Sequence, residues 1–415
     1  MHWSNVIFHS GNEELKLFIN LGILAAKSGI PIHFHVEGVR GTGKTTLIRA
    51  AKTRLPQVER IQNCKYNCIP AEPHCPNHTE KSDFMTEIAD MPFLEISHSA
   101  KIGTVVGSID LDKLTAAENP AAALLPGTLP RANRGIVFVD EINRLADTSP
   151  GLVDVLLDAM GTKPGRVQIE ETGLSTVEMP LNVSVWAASN PDEEPGPLQE
   201  IRRQLADRFD FVLRIERPQQ AETVRAIMKA NNTASVYQSQ LSAALADLST
   251  VTLDPYTEEF LSNLYIRFRL ESIRGIQAAR LGALLHAAHH GKQKADFSNL
   301  AAVLPAALRH RVEAPKLIEI AEAMRTAASS SSQRKADSAP PTKIKGKANE
   351  KLPLRYPALW RGLWQRLSHK DGKGAGKTVA VDTPEAASKA TNAAVAEKKT
   401  ITVPTVPEEI GGAAK

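Results

Sequence analysis

Cysteine is scarce in this chain of 415 residues, and all three cysteines fall between Cys64 and Cys75. Three cysteines in one short stretch cannot form a closed set of disulfides, so a reducing compartment fits better than an oxidising one. Long apolar runs are missing as well, since none reaches the length of about 18 residues that a membrane-spanning helix needs. The first residues, MHWSNVIFHSGNEELK, lack the basic and then apolar pattern of a signal peptide. The sequence therefore predicts a cytoplasmic protein without a membrane span.

Acidic residues are sparse in the last part of the chain. From residue 326 to the end there are 16 Lys and Arg against 8 Asp and Glu, although the whole chain has a net charge of only +4. Such a basic tail is typical of an interaction arm and not of a nucleic-acid-binding domain; a tail kept soluble by its charge is the alternative. Its composition predicts that 326–415 is largely disordered. The apolar island LPLRYPALWRGLWQRL, at 352–367, is a candidate docking segment for a partner; a membrane-surface contact and no role at all are the alternatives.

Strand and helix patterns alternate through the first half of the chain. This alternation predicts an α/β fold whose mostly parallel sheet is covered on both faces, and we place that core at residues 1–217. An antiparallel hairpin is expected at 166–179, where two alternating segments flank a turn that contains glycine. After Pro218 the pattern becomes helical without strand signals, which predicts an all-helical lid domain at 218–325.

A phosphate-binding loop is the clearest motif. GVRGTGKT matches G-x-x-x-x-G-K-[ST] and lies between a predicted strand and a predicted helix, the context that this motif requires. Its glycines allow successive backbone amides to face a phosphate at the positive end of a helix dipole. Lys44 would contact the β- and γ-phosphates of ATP, and Thr45 would offer a hydroxyl to Mg²⁺. The residues predicted to bind the nucleotide are Gly38, Val39, Arg40, Gly41, Thr42, Gly43, Lys44, Thr45 and Thr46.

Polar side chains end two further predicted strands. GIVFVDEI places Asp140 and Glu141 directly after a run of apolar residues. Because ligands bind at the carboxyl ends of the strands in a parallel sheet, we expect this pair beside the phosphates. Asp140 would hold Mg²⁺ through its water shell, and Glu141 would polarise the attacking water. WAASNP places Asn190 at the end of another strand, where its amide could orient that water; capping of the turn before Pro191 is the alternative.

Arginines supply candidates for the remaining contacts with the phosphates. Arg208, in LADRFDF, follows a predicted helix near the start of a strand, and an arginine there can reach the γ-phosphate of a neighbouring subunit. Arg202 and Arg203 compete with it for this role of trans finger. In the helical domain, ESIRGIQAARL places Arg274 at a helix start, from which the lid could fold it back onto the phosphates.

These features together resemble the AAA+ ATPases. The segments VVGSIDLDKL, PGTLPRANRGIVFVDEIN, LVDVLLDAM and LADRFDF are similar to the ATPase I subunit of magnesium chelatase, in the clade that also contains the MoxR proteins. The resemblance covers roughly residues 5–290. It implies that about 97–130 is an insertion in helix 2, and that the hairpin at 166–179 precedes the strand that ends in Asn190. Both inserts would face a partner or the pore of a ring.

The resemblance also implies partners. It implies a hexameric ring whose ATP cycle drives a D-type AAA+ subunit with an integrin-like domain, while a large third subunit binds the porphyrin and inserts Mg²⁺, as in chlorophyll synthesis. No direct contact with nucleic acid is implied. Two alternatives stay open at this point: a MoxR-type ATPase that remodels another client, and an ATP-gated assembly scaffold with little hydrolysis. Glu141 and Arg208 count against the scaffold.

The cysteine segment NCKYNCIPAEPHCPNH, at 63–78, lies between the helix of the phosphate-binding loop and the next predicted strand. We interpret it as an excursion from the sheet, away from Asp140 and Glu141. Its spacing, C-x3-C-x6-C-x2-H, supplies four metal ligands in a loop that contains proline. A zinc site is the first interpretation, an iron–sulfur cluster the second and free, redox-sensing thiols the third. The candidate ligands are Cys64, Cys68, Cys75 and His78.

Overall fold

A computed structural model of the chain describes residues 3, 6–78, 83–109, 124–161, 163–169, 176–230 and 247–337. Several predicted features lie wholly or partly outside these residues: the docking segment 352–367, the tail after Asp337, and the stretches 110–123, 170–175 and 231–246 of the insert, the hairpin and the lid. Within the residues that are described, no helix is both long enough and apolar enough to cross a bilayer.

The strands are short. In chain order they are β1 (Phe34–Glu37), β2 (Gln57–Ile61), β3 (Thr86–Asp90), β4 (Phe93–Ile96), β5 (Gly107–Ile109), β6 (Leu124–Pro126), β7 (Ile136–Val139), β8 (Gly165–Ile169), β9 (Val177–Leu181), β10 (Ser184–Ser189), β11 (Phe211–Arg214), β12 (Thr252–Leu253) and β13 (Lys294–Ala295).

The helices cover the sheet and form the lid. They are α1 (Glu13–Lys27), α2 (Lys44–Ala51), α3 (Ile102–Val106), α4 (Thr128–Arg131), α5 (Ile142–Thr148), α6 (Pro150–Ala159), α7 (Leu198–Ile201), α8 (Arg203–Arg208), α9 (Ala221–Ala230), α10 (Pro255–Arg267), α11 (Arg274–His289), α12 (Phe297–Leu308) and α13 (Ala314–Asp337). Short 3-10 turns lie at Lys52–Arg54 and Leu248–Thr250.

The central sheet joins five parallel strands in the order β11-β1-β10-β7-β4. β7 has the sequence IVFV and β10 the sequence SVWAAS, and every residue of both strands is buried, as expected for strands that are covered on both faces. Phe34 in β1 pairs with Trp186 in β10 and with Phe211 in β11, so the strands begin at one edge of the sheet and end at the other. The predicted α/β fold with a parallel core is confirmed.

Different layers cover the two faces of the sheet. On one face, α1, α2 and the lid helices pack against Phe34, Phe138 and Trp186. The rings of Phe34 and Trp186 stack with their centroids 4.6 Å apart. On the other face, α5, α6 and the cysteine segment pack against the alternate side chains of β7, Val137 and Val139. The buried side chains of the cysteine segment, such as Cys68 and Cys75, are thus part of a core layer, whereas Lys65 and Ile69 are exposed.

The lid differs from its prediction in two respects. Thr252–Leu253 and Lys294–Ala295 form a pair of parallel strands, β12 and β13, so the domain is not purely helical. Two-residue strands are too short to produce an alternating pattern that could be read in the sequence. The last helix, α13, continues to Asp337, so the boundary predicted at 325 falls inside a helix. Side chains as late as Ala328 pack against the apolar core there.

Three antiparallel pairs of strands lie outside the central sheet in the described part of the chain. β2 and β3 frame the cysteine excursion at 63–78. β5 and β6 lie within the predicted insert at 97–130, on either side of the residues that are not described. β8 and β9 pair from Gly165 with Leu181 to Ile169 with Val177, in the region of the hairpin predicted at 166–179.

Candidate nucleotide and metal sites

The phosphate-binding loop connects β1 to α2 at the carboxyl edge of the sheet. Gly41 and Gly43 have φ angles of 78° and 85°, in the left-handed region that glycine occupies without strain. Gly43 caps the start of α2, so the loop amides lie at the positive end of the helix dipole. Thr42 stabilises the turn by donating from Oγ1 to the carbonyl of Val39 at 2.9 Å. The loop therefore has the backbone conformation and the positive electrostatic potential that favour a bound phosphate.

Lys44 lies half-buried against this loop. Its ammonium donates hydrogen bonds to the carbonyls of Gly38 and Val39, the second at 3.0 Å. Burial lowers the pKa of Lys44, and the carboxylate of Asp140 acts in the opposite direction. The two carbonyls hold the ammonium inside the curl of the loop, where phosphate oxygens would replace them as its partners.

Thr45 and Asp140 meet at the carboxyl edge. Thr45 Oγ1, in the first turn of α2, donates to Asp140 Oδ2 at 2.9 Å. Asp140 directly follows β7, and β7 and β1 lie on either side of β10. A hydroxyl and a carboxylate at this distance suit a hydrated Mg²⁺, which prefers oxygen ligands and keeps several of its waters. The structure thus brings together the two predicted ligands of the ion.

Glu141 begins α5 with a φ of 52°, a conformation that is uncommon for a residue with a side chain and that concentrates at functional sites. Its Oε2 lies 3.3 Å from Arg144 and 3.7 Å from Nδ1 of His98, and its side chain is 40% exposed. The carboxylate is therefore held by basic neighbours and remains open to water. Sequence analysis did not identify these neighbours. Arg144 could have been found from its spacing of three residues on a helix, whereas nothing in the sequence links His98 to the site.

Asn190 directly follows β10, between the strands that carry the loop and Asp140. Its side-chain oxygen accepts a hydrogen bond from the amide of Asp192 at 3.3 Å, and its carbonyl accepts one from Asn143 at 3.3 Å. The strand position is the one expected of a residue that orients water. The hydrogen bond with Asp192 also caps the turn around Pro191, which was the alternative interpretation of Asn190. Asn190 therefore has the position expected for the first interpretation and the contact expected for the second.

Arg208 and Arg274 lie at the opposite edge of the sheet from the phosphate-binding loop. Arg208 ends α8 just before β11 begins, whereas the loop follows the end of β1, and these two strands pair in parallel. Arg274 donates to Asp207 at 2.9 Å, beside Arg208. The role of Arg274 at the phosphates stays a prediction, and in this structure its side chain lies away from the phosphate-binding loop of its own chain. The physical reason is that hydrogen bonds to Phe209 hold the lid at the amino edge.

The other arginines have different surroundings. Arg203 forms an exposed ion pair with Glu271 of the lid at 2.6 Å. Arg202 lies at the junction between α7 and α8. A groove of about 720 Å³ is lined by Arg203, Arg208 and Arg274, together with Arg311. Sequence analysis missed Arg311, although a basic Arg-His-Arg triplet directly after an apolar helix was a signal for it.

The cysteine segment brings four potential ligand atoms together. The thiols of Cys64, Cys68 and Cys75 and a ring nitrogen of His78 all lie within 4.8 Å of one another. The three cysteines are buried, and Cys75 Sγ lies 3.1 Å from Nδ1 of His78. Hydrogen bonds from Cys68, and then from Cys75, lower the pKa of the Cys64 thiol, and the hydrogen bonds to Cys64 raise the pKa values of the Cys68 and Cys75 thiols. In the described part of the chain, this is the group that has the geometry of a metal site.

Neighbouring polar groups fix the cysteine segment to the core. Asn67 donates to the carbonyl of Arg131, and Tyr66 donates to that of Leu124 at 3.3 Å. Asn133 donates to the carbonyl of Tyr66 at 3.4 Å. These contacts join the segment to the stretch that leads into β7, at the amino edge and away from Asp140.

Comparison with known proteins decides the family. The family model described as magnesium chelatase, subunit ChlI, matches residues 22–207, which include the phosphate-binding loop and the residues from Asp140 to Asn190. A magnesium-chelatase 38 kDa subunit from Acidiphilium rubrum is 32% identical over 302 residues, which cover 68% of this chain and 84% of that protein. The chain belongs to the magnesium chelatase subunit I family.

Other relatives agree with this assignment. The magnesium-chelatase subunit ChlI of Trieres chinensis is 30% identical over 323 residues, which cover 73% of this chain and 87% of that protein. A solved complex of the magnesium chelatase subunits BchI and BchD aligns with 75% of this chain and 95% of that chain at 24% identity, but its TM-score of 0.40 is too low to add to the assignment. This subunit I protein is an AAA+ ATPase that uses ATP and Mg²⁺, as predicted.

Proposed function

We propose that this subunit I protein is the ATPase motor of a magnesium-chelatase-like complex, which inserts Mg²⁺ into a porphyrin. The observation that carries the proposal is the hydrolytic edge: Lys44 in the loop, Thr45 bonded to Asp140 at 2.9 Å, and Glu141 open to water. This edge has the groups needed to bind and cleave ATP, and the relatives of this chain are named as magnesium-chelatase subunits. Work on a partner that binds the porphyrin therefore suits the site best.

The positions of the arginines support a ring. Arg208 and Arg274 lie at the amino edge of the sheet, and the phosphate-binding loop lies at the carboxyl edge. Within one chain they cannot stabilise the charge that develops on the phosphates, but in a head-to-tail ring they would reach the nucleotide of the neighbour. We infer a homo-hexamer that acts on a D-type AAA+ subunit and on a large porphyrin-binding subunit. The predicted compartment is the cytoplasm.

Reconstitution tests this function. The protein is mixed with candidate D-type and large subunits, protoporphyrin, Mg²⁺ and ATP, and the metalloporphyrin is followed by its fluorescence. We expect product with the wild type and none with Lys44→Ala. Lys52→Ala removes an exposed lysine from the turn after the same helix and should behave like the wild type. A complete mixture without product, or equal product with wild type and Lys44→Ala, would contradict the proposal.

We also propose that the chain binds one zinc ion, with Cys64, Cys68, Cys75 and His78 as its ligands. A zinc ion with Zn–S distances of about 2.3 Å places its tetrahedral ligands about 3.8 Å apart. The observed limit of 4.8 Å between the ligand atoms fits such a single ion. An iron–sulfur cluster distributes its thiolates over several irons and needs them farther apart. Since the segment lies away from Asp140, the zinc would be structural.

Metal analysis of anaerobically purified protein tests this site. We expect about one zinc per chain, and we expect His78→Asn to lose most of it. His74→Asn is the matched control, because His74 is in the same loop but outside the group of four ligands. If the protein contains iron and sulfide instead of zinc, the site holds an iron–sulfur cluster. Less than about a tenth of an equivalent of either metal would leave free thiols as the interpretation.

A further inference from the structure

Arg311 lies between α12 and α13, where the lid meets the core, and its side chain is only 7% exposed. Its Nε donates to Oδ1 of Asp207 at 3.1 Å. Its two terminal nitrogens donate to four carbonyls at 2.7–3.2 Å, those of Asp207, Phe209, Asp210 and Ala307. A single buried side chain therefore makes five hydrogen bonds, and four of these reach from the lid to the core.

The carbonyls that Arg311 binds in the core belong to Asp207, in the last turn of α8, and to the two residues that follow the helix, Phe209 and Asp210. The last carbonyls of a helix have no partners inside the helix, and they carry the negative end of its dipole. A guanidinium presents its donors in a rigid planar fork, so one arginine can bind several of these carbonyls at once. Arg311 thus fixes the turn that carries Arg208, the last residue of α8.

Asp207 extends this connection to the lid. Its Oδ1 accepts from Arg311, and its Oδ2 accepts from Arg274 at 2.9 Å. Arg208 is the next residue, and all three arginines line the same groove. Arg311 and Arg274 therefore bind the two oxygens of one carboxylate, on the residue directly before Arg208.

We propose that Arg311 is a positioning residue for ATP hydrolysis, which holds α8 and Asp207 so that Arg208 and Arg274 act together on the nucleotide of the neighbouring subunit. This inference rests on the proposed ring, in which the two arginines act in trans. Arg311 lies at the amino edge and does not reach the nucleotide of its own chain. Its loss should misplace the trans arginines and leave the phosphate-binding loop intact.

The first test compares Arg311→Lys with Arg309→Lys in the full chain. Both arginines are buried to a similar degree, at 7% and 8% exposure, but Arg309 pairs with Glu14 of α1 and makes none of the bonds to α8. Lysine keeps the positive charge but lacks the planar set of hydrogen-bond donors of the guanidinium. We expect Arg311→Lys to lower kcat about 10- to 100-fold with a KM for ATP within about twofold, because small misplacements of catalytic groups cost rates of this order. Arg309→Lys should keep kcat within about threefold.

The second test is complementation in mixed rings. Glu141→Gln cannot hydrolyse its own ATP but carries intact trans arginines, whereas Arg311→Lys carries an intact loop. A mixture should therefore gain activity above the sum of its components, at interfaces where Glu141→Gln supplies the arginines. Arg208→Ala mixed with Glu141→Gln is the positive control, and a tag on one subunit verifies the exchange. A variant that is merely poorly folded would gain nothing.

The outcomes separate the inference from the function on which it rests. If the Arg208→Ala mixture gains activity and the Arg311→Lys mixture does not, the positioning role of Arg311 is overturned and the ring is supported. If neither mixture gains activity, the trans assignment of Arg208 fails, and the role of Arg311 falls with it. Equal losses of kcat in Arg311→Lys and Arg309→Lys would also overturn the inference.

Discussion

The groups predicted to hydrolyse ATP lie after the carboxyl ends of different strands. Thr45 and Asp140 are bonded at 2.9 Å, although 95 residues separate them in the chain. Glu141 is the next residue after Asp140; it has an uncommon φ of 52°, and its carboxylate lies 3.3 Å from Arg144. We therefore expect the Asp140 carboxylate to serve the ion and the Glu141 carboxylate to serve the attacking water.

Glu141→Gln tests this division. The amide cannot accept a proton, so we expect kcat to fall about 10²- to 10⁴-fold, the usual contribution of a general base, with the affinity for ATP retained. Glu95→Gln is the control: its carboxylate is 41% exposed, close to the 40% of Glu141, and it pairs with Arg49. Phosphate release and binding of a fluorescent ATP analogue are the measurements. An unchanged kcat in Glu141→Gln would assign the base to another group.

At the scale of elements, the entry into β7 is tightly packed. Ile136 donates its amide to the carbonyl of Pro92, just before β4, at 2.9 Å. A side chain at the preceding residue, Gly135, would overlap that same carbonyl oxygen. The glycine is needed here for close approach of two backbones, and this contact sets the register of β7 against β4.

Gly135→Ala should therefore lower the free energy of unfolding by about 1–3 kcal/mol, the usual cost of an overpacked site. Gly103→Ala is the matched control, because a side chain there meets no atom within 4 Å and the residue lies in α3. An alanine in a helix should leave stability unchanged or raise it by up to about 1 kcal/mol. Chemical denaturation of both variants gives the comparison. Equal free energies of unfolding for Gly135→Ala and Gly103→Ala would show that the close contact between β4 and β7 is not needed for stability.

At the scale of the whole molecule, one buried histidine lies in the core and another lies where the lid contacts the core. His310 of the lid lies 3.0 Å from the carbonyl of Phe209 through Nε2, and burial keeps its pKa well below the usual value. His33 accepts from the amide of Val185 through Nδ1 at 3.1 Å, and burial lowers its pKa to about 4. Both histidines are stabilised in the folded protein as neutral rings.

Stability should therefore decrease as the pH falls from about 6.5 towards 4. In this range the unfolded chain binds protons at these histidines and the folded chain does not, so acidification favours unfolding. His33 alone would contribute about 3 kcal/mol over this interval. Thermal unfolding of wild type and His33→Asn between pH 7 and 4.5 is the measurement. The variant should show a shallower dependence on pH, and identical slopes would contradict the assignment.

The sequence predicted most of what is local or periodic. GVRGTGKT is contiguous, so its loop and helix could be recognised before any tertiary contact was known. Asp140 and Glu141 follow a fully apolar strand, and parallel strands deliver their ends to one edge. By contrast, β12 and β13 have two residues each, and the end of α13 at Asp337 depends on packing. Neither feature leaves a pattern in the composition.

The sequence by itself therefore determined the nucleotide chemistry, because it resides in short motifs and in the edge to which a parallel sheet directs them. The tertiary structure decided which groups meet. It placed Arg274 beside Arg208 at the far edge, it assigned Arg311 to the end of α8, and it brought the ligand atoms of the cysteine segment within 4.8 Å. The contacts of Arg274 and Arg311 arise from the packing of elements that are remote in the chain, which no spacing in the sequence encodes. The spacing of the cysteine segment indicated its four ligands but not the distances between them.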